Sequence, residues 1–150
     1  MTEPYRPALD PTKAKSAEEF NRILEGFQPA ALGVKILEAS PEKVIGSLPA
    51  EKRTMAPTGY MHAASVVTLA DTLAGIGCFM NLPPGSTGFT TIELKCNLMG
   101  TVLDGVAMGE ATPVHLGRST HVWDARIYHP KTEKTVALFR CTQMVLWPKG

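Results

Sequence analysis

The stretch from Ala63 to Met80 is almost wholly apolar or small, with one carboxylate, Asp71, in its middle. Such a run has to be hidden from water. A carboxylate at bilayer depth is costly, the run barely reaches spanning length, and small residues outnumber Leu and Ile in it. It therefore reads as a helix buried in protein, from about His62 to Asn81, ended by Leu82-Pro83-Pro84-Gly85. A helix that is apolar all round needs cover on every side, and the flanking segments offer it as strands.

Thr91–Leu98 sets Ile92, Leu94, Cys96 and Leu98 against Thr91, Glu93, Lys95 and Asn97, the period of two of a half-covered strand. Val102–His115 reads as one long strand, in which Pro113 implies a bend, an edge or a bulge. In Ser119–Tyr128 the residues His121, Trp123, Ala125 and Ile127 share a face. His129-Pro130-Lys131-Thr132 turns the chain into Thr135–Trp147, where Ala137, Phe139, Cys141 and Val145 align. Ahead of the helix, Val34–Glu38 and Lys43–Leu48 are short strands about Ala39-Ser40-Pro41, and Glu51–Tyr60 is a loop. A first helix is signalled by the capping box Ser16 and Glu19, with Phe20, Ile23, Leu24 and Phe27 on one face and Gly26 at its end. Residues 1–15 read as a loose leader and 16–150 as one domain. Two strands, a helix and then a meander make an α+β protein, an antiparallel sheet wrapped around a long central helix.

The net charge of +1 supplies no general field for nucleic acid or an anionic membrane, so neither is an expected partner. Cys78, Cys96 and Cys141 are odd in number, widely spaced and set among apolar residues. They read as reduced thiols of a cytoplasmic protein. His62, His115, His121 and His129 lack metal-ligand spacing, so no metal is expected, and no motif points to a cofactor.

Chemistry centres on Asp71, the one formally charged residue between Arg53 and Glu93. A buried carboxylate costs several kcal/mol, on the order of 3–5, unless it is paired or hydrogen-bonded, and isolated ones cluster at functional sites. His62 stands at the helix start, where unpaired N–H groups and the positive end of the dipole favour an oxyanion. The Ala63 N–H is the natural donor; His62 could orient the loop, contact a substrate carbonyl or simply pack. Eight positions separate Ala63 from Asp71, about 12 Å along the axis. One carbonyl cannot touch both within a single helix. Two antiparallel copies across a two-fold axis can bring them together, so chemistry using both requires a homodimer.

Gly59-Tyr60-Met61-His62-Ala63-Ala64, followed by Leu69-Ala70-Asp71-Thr72, resembles the G-x-x-H-G-G…L-A-[DE] segment of hotdog-fold thioesterases. The branch it is similar to is the phenylacetate-degradation and 4-hydroxybenzoyl-CoA thioesterase group. The likeness continues through Thr90-Thr91-Ile92-Glu93-Leu94, Gly105 and His115-Leu116-Gly117-Arg118-Ser119-Thr120, and covers about residues 30–147. It implies a hotdog fold and hydrolysis of an acyl-CoA or aryl-acyl-CoA thioester, with Asp71 as nucleophile or general base and the Ala63 N–H on the thioester carbonyl. It also implies a Thr91 hydroxyl beside the attacking group. Gly59 and Tyr60, then Gly88, Phe89 and Thr90, and His115, Gly117, Arg118 and Ser119 would hold substrate and CoA, in a dimer or homotetramer.

The chain departs from that pattern at three places. Ala63 and Ala64 replace the two glycines, Ala56 stands where Asn or Gln is usual, and Asn97-Leu98-Met99-Gly100-Thr101 lacks the usual Arg-Pro. These motivate a second reading, a protein that binds acyl-CoA or an aromatic acid without turning it over. A dehydratase of the same fold is a weaker option, because no His follows Asp71 before His115. Met55, Tyr60, Met61 and Phe79 are available to line an acyl pocket or to fill the core.

Overall fold

A computed structural model describes residues 14–149. The leader therefore lies outside the described residues up to position 13. Of its last two residues, Ala14 is buried and Lys15 donates its N–H to Glu19. Helix α1, Ala17–Leu24, carries the capping box: Ser16 Oγ accepts from the Glu19 N–H, and the Glu19 carboxylate accepts from the Ser16 N–H. A short helix α2, Gln28–Ala31, follows, which the sequence pattern does not announce.

Strands β1 (Lys35–Ala39) and β2 (Val44–Pro49) precede the central helix α3, Ala63–Met80. After it come β3 (Gly88–Leu98), β4 (Val106–Leu116), β5 (Thr120–Tyr128) and β6 (Thr135–Leu146). All six form one antiparallel sheet in the order β1-β2-β4-β5-β6-β3. The long strand expected from Val102 begins four residues later, because Gly105 takes a positive φ of 72° and turns the chain first. Pro113 sits at a bulge in the β4–β5 ladder, as its missing N–H requires.

Helix α3 touches every strand, and Leu69, Ala70, Leu73, Ala74 and Cys78 on it are fully enclosed. The helix can lie this close because glycines face it. Gly46 and Gly109 are cross-strand partners, and the Leu69 and Leu73 side chains occupy the space that their Cβ atoms would fill. On the helix itself, Gly77 leaves room for the Trp123 ring of β5. By length and a mean hydropathy of 1.6 this helix could cross a membrane, but here the sheet supplies its cover.

Strand β3 is an edge, and it behaves differently from the half-covered strand expected. Leu94 and Leu98 are 43% and 46% exposed, so its apolar side is left open by its own chain, and Ile92, at the bulge, is 54% exposed. The alternation also breaks. A bulge between Thr91 and Glu93 sets Thr91 opposite Gln143 and Leu94 opposite Cys141. Directly opposed residues share a face, so Thr91 joins Leu94, Cys96 and Leu98 on the helix side instead of opposing them.

Candidate active site

Asp71 opens into a cleft of about 240 Å3 between α1, α3 and the start of β3. Phe20, Ile23 and Leu24 of α1 form one wall, and Ile76, Phe79 and Phe89 close the others. Helix α1 is held there by Asn21, whose side chain both donates to the Ile36 carbonyl at 2.8 Å and accepts from the Ile36 N–H at 2.9 Å. The Phe20 ring meets Phe79 edge-on, with centroids 6.0 Å apart. The cleft is therefore an apolar slot with a carboxylate and a hydroxyl at one side. It exceeds the roughly 150 Å3 of a cavity that takes benzene, so a ring or a medium-length chain fits.

The carboxyl group of Asp71 is half-buried, and that burial pushes it above the ordinary carboxylate range; a hydrogen bond from Thr91 works against the rise. Thr91 Oγ1 lies 3.4 Å from Asp71 Oδ1 and 2.8 Å from Gln143 Oε1. The bulge on β3 is what carries this hydroxyl to the helix side. Gln143 is fully buried behind it and reaches the Cys141 sulfur at 3.4 Å through Nε2. The other hydroxyls near Asp71 are spent locally. Thr68 donates to the Ala64 carbonyl and Thr72 to the Thr68 carbonyl, one turn back along α3.

His62 is the N-cap of α3, and its Nδ1 accepts from the Ala64 N–H at 3.0 Å. The N–H groups of Ser65 and Val66 go to the His62 carbonyl. Among the described residues no acceptor meets the Ala63 N–H, so it is the open donor of the first turn. Gly59, at φ +85°, shapes the loop before it, in which the Ala56 N–H donates to the Tyr60 carbonyl. Tyr60, His62 and Ala63 are all exposed.

The structure brings some expected residues together and keeps others apart. Gly88, Phe89 and Thr90 lie at the start of β3, beside the end of β6, and the His115–Ser119 turn abuts that same end. Thr90 and Thr120 both face Met144, and the Val145 N–H donates to the Ser119 carbonyl. Arg118 is held over the Trp147 ring at 4.7 Å, and Trp147 donates back to the Arg118 carbonyl. Gly59, Tyr60, His62 and Ala63 belong to the far end of α3, about 12 Å from Asp71 along the axis. Met55, Tyr60 and Met61 are correspondingly absent from the cleft; of the four proposed pocket residues only Phe79 lines it.

Two contributors went unassigned in the sequence. The apolar face of α1 was visible, but nothing local said that it walls a cleft. Gln143 was legible in principle: it shares the parity of Ala137, Phe139, Cys141 and Val145, so a polar side chain there points inward.

A family model described as the thioesterase superfamily matches residues 58–136. A 1,4-dihydroxy-2-naphthoyl-CoA hydrolase of Listeria monocytogenes is 30% identical over 111 residues, 74% of this chain and 89% of that protein. The crystal structure of a Haemophilus influenzae thioesterase superposes with a TM-score of 0.83 at 26% identity, covering 89% of this chain and 92% of that one. A mutant thioesterase from Pseudomonas aeruginosa matches with the same score and identity over 89% and 96% of the two chains. With its central helix inside an antiparallel sheet and the family match spanning the end of the loop, the helix and strands β3, β4 and β5, the chain belongs to the thioesterase superfamily and has the hotdog fold.

Proposed function

We propose that the protein hydrolyses an acyl-CoA or aryl-acyl-CoA thioester to the free acid and CoA, with Asp71 as nucleophile or general base. The observation that carries this is the single carboxylate of α3 opening into an apolar cleft, next to a hydroxyl that can donate to it. The acyl group enters the slot with its carbonyl at the Asp71 end. Either Asp71 attacks the carbonyl carbon and water then cleaves the anhydride, or Asp71 takes a proton from water as the water attacks. In both routes the C–S bond breaks, CoA leaves as the thiolate, and water supplies the new oxygen of the acid.

The oxyanion needs a donor that one chain does not place beside Asp71. A homodimer supplies it, the Ala63 N–H of one protomer meeting the carbonyl bound at Asp71 of the other. The open edge of β3 supports this arrangement, since an exposed apolar edge strand is a ready surface for a second copy. Gly88, Phe89, Thr90, His115, Gly117, Arg118 and Ser119 then face the CoA moiety, with Arg118 as a phosphate contact. Their convergence at one end of the sheet supports that role. The free thiols accord with a cytoplasmic setting.

The alternative, binding without turnover, draws on Ala56, Ala63 and Ala64 standing where the family pattern has polar or glycine residues. A thiol-release screen across short, medium, long and aromatic acyl-CoAs separates the two. Release from at least one class supports hydrolysis; CoA-dependent thermal stabilisation with no released thiol supports the binding protein.

A further inference from the structure

Among the described residues Gln143 is the one fully buried side-chain amide next to the cleft, and each of its contacts leads toward or away from Asp71. It projects from β6 to the helix side, with Thr91 opposite it on β3 and His121 opposite it on β5. Its terminal amide lies between Thr91 Oγ1 at 2.8 Å and Cys141 Sγ at 3.4 Å. A threonine hydroxyl has one proton and two neighbours here, Gln143 and Asp71, so the amide decides where that proton goes. With Oε1 toward Thr91, the hydroxyl donates to Gln143 and turns a lone pair to Asp71. A half-turn of the amide keeps every heavy-atom position and reverses the sense: Nε2 donates to Thr91, Thr91 donates to Asp71, and the Cys141 S–H donates to Oε1. Cys141 can play that part because burial, chiefly, pushes its thiol up to about 12, so it keeps its proton.

We propose that Gln143 is a positioning residue that aims the Thr91 hydroxyl proton at Asp71 whenever Asp71 carries its negative charge. The field of the carboxylate selects this orientation, since every dipole of the chain Cys141–Gln143–Thr91 then points its positive end at Asp71. When Asp71 is protonated, the chain can run the other way, with Asp71 donating to Thr91 and Thr91 to Gln143. Among the described residues, the other titratable groups packed around this chain are Cys78 on α3 and His121 on β5, while Glu93 of β3 is exposed on the outer face and acts on Cys141 only through its charge. Burial holds Cys78 as a thiol and favours neutral His121. Helix α1 contributes only apolar residues to the cleft.

The proposal rests on the hydrolytic reading above, and the test keeps the two separate. In the full-length protein, Gln143→Met removes the amide at similar volume. It is expected to lower kcat by about three- to tenfold with little change in KM, and to move the acid limb of the pH–rate profile upward, because Thr91 loses the Nε2–H that polarised its proton toward the carboxylate and the Thr91–Asp71 hydrogen bond weakens. In a Thr91→Val background the same substitution should shift neither quantity further. Gln143→Asn, which keeps the site polar but draws the amide out of reach of Thr91, serves where methionine disturbs folding. A folded Gln143 variant with wild-type kcat and pH limb overturns the proposal, and so does an equal loss in the Thr91→Val background, which marks a merely structural role. Hydrolysis that survives Asp71→Asn overturns the reading beneath it instead.

Discussion

Phe20 of the first helix stands edge-on to Phe79 of the central helix, at an interplanar angle of 83°, and both rings line the cleft that holds Asp71. The pocket is thus built partly by residues that precede the region matched by the family model. Substrate size should be read by this slot, and Gly75 is the place to test it. A Cβ at Gly75 would come 3.4 Å from Phe89, an ordinary contact, so the position accepts a side chain that points into the cleft. Gly75→Leu should preserve folding and lower kcat/KM for medium-chain or aryl substrates by roughly 10–200-fold, with much less effect on acetyl-CoA. Parallel kinetics on the two substrate classes check this.

Gly77 answers to the opposite constraint. As a glycine inside a helix it should gain up to about 1 kcal/mol on replacement by alanine. Yet a methyl there would overlap the Trp123 ring, which is fully buried and has no room to retreat. Overpacking of this kind costs about 1–3 kcal/mol. Gly77→Ala should therefore lower the midpoint of urea unfolding while leaving the m-value unchanged, whereas Gly75→Ala should not.

Much of this architecture was legible in the residues. The limits of α3 fell within one residue of those expected, because an apolar run bounded by His62 and by Pro83-Pro84 leaves little freedom. The buried faces of β5 and β6 followed from strict alternation. β3 did not, for two physical reasons. A one-residue bulge inverts parity without a compositional mark, and the apolar side of an edge strand is covered only by something outside the chain. Helix α2 was missed because four residues carry no periodicity. Asp71 stood out from composition alone; Gln143 needed the strand register to show that it lies behind Thr91.

The exposed side of β3 gives a direct prediction about assembly. Leu94→Glu places a charge where a second copy should sit, and the residue is already 43% exposed, so the protomer itself should fold. Size-exclusion chromatography should show a monomer with native circular dichroism. Thiol release should fall by about 10²–10³-fold, as expected when an oxyanion donor is withdrawn. A fully active monomer would contradict the shared site.

The carboxyl group of Asp71 also links pH to stability. Its folded-state pKa is raised, mainly by burial, so the folded protein holds this proton more tightly than the unfolded chain does. The cost of ionising it builds as pH rises from the ordinary Asp value, about 4, to the raised value, and is constant above. Asp71→Asn should accordingly raise Tm by roughly 2–4 °C at pH 8, and the gain should vanish in acid. Differential scanning fluorimetry across pH reads this directly. For the same reason the acid limb of kcat/KM should be centred above about 4 in the wild type.

The most direct test of the central claim is thiol release by Asp71→Asn on the best acyl-CoA from the screen, made on protein shown to keep its oligomeric state. Turnover should fall by at least about 10³-fold, with substrate still bound. Hydrolysis at the wild-type rate would show that the lone carboxylate of α3 is not the group that attacks or activates water.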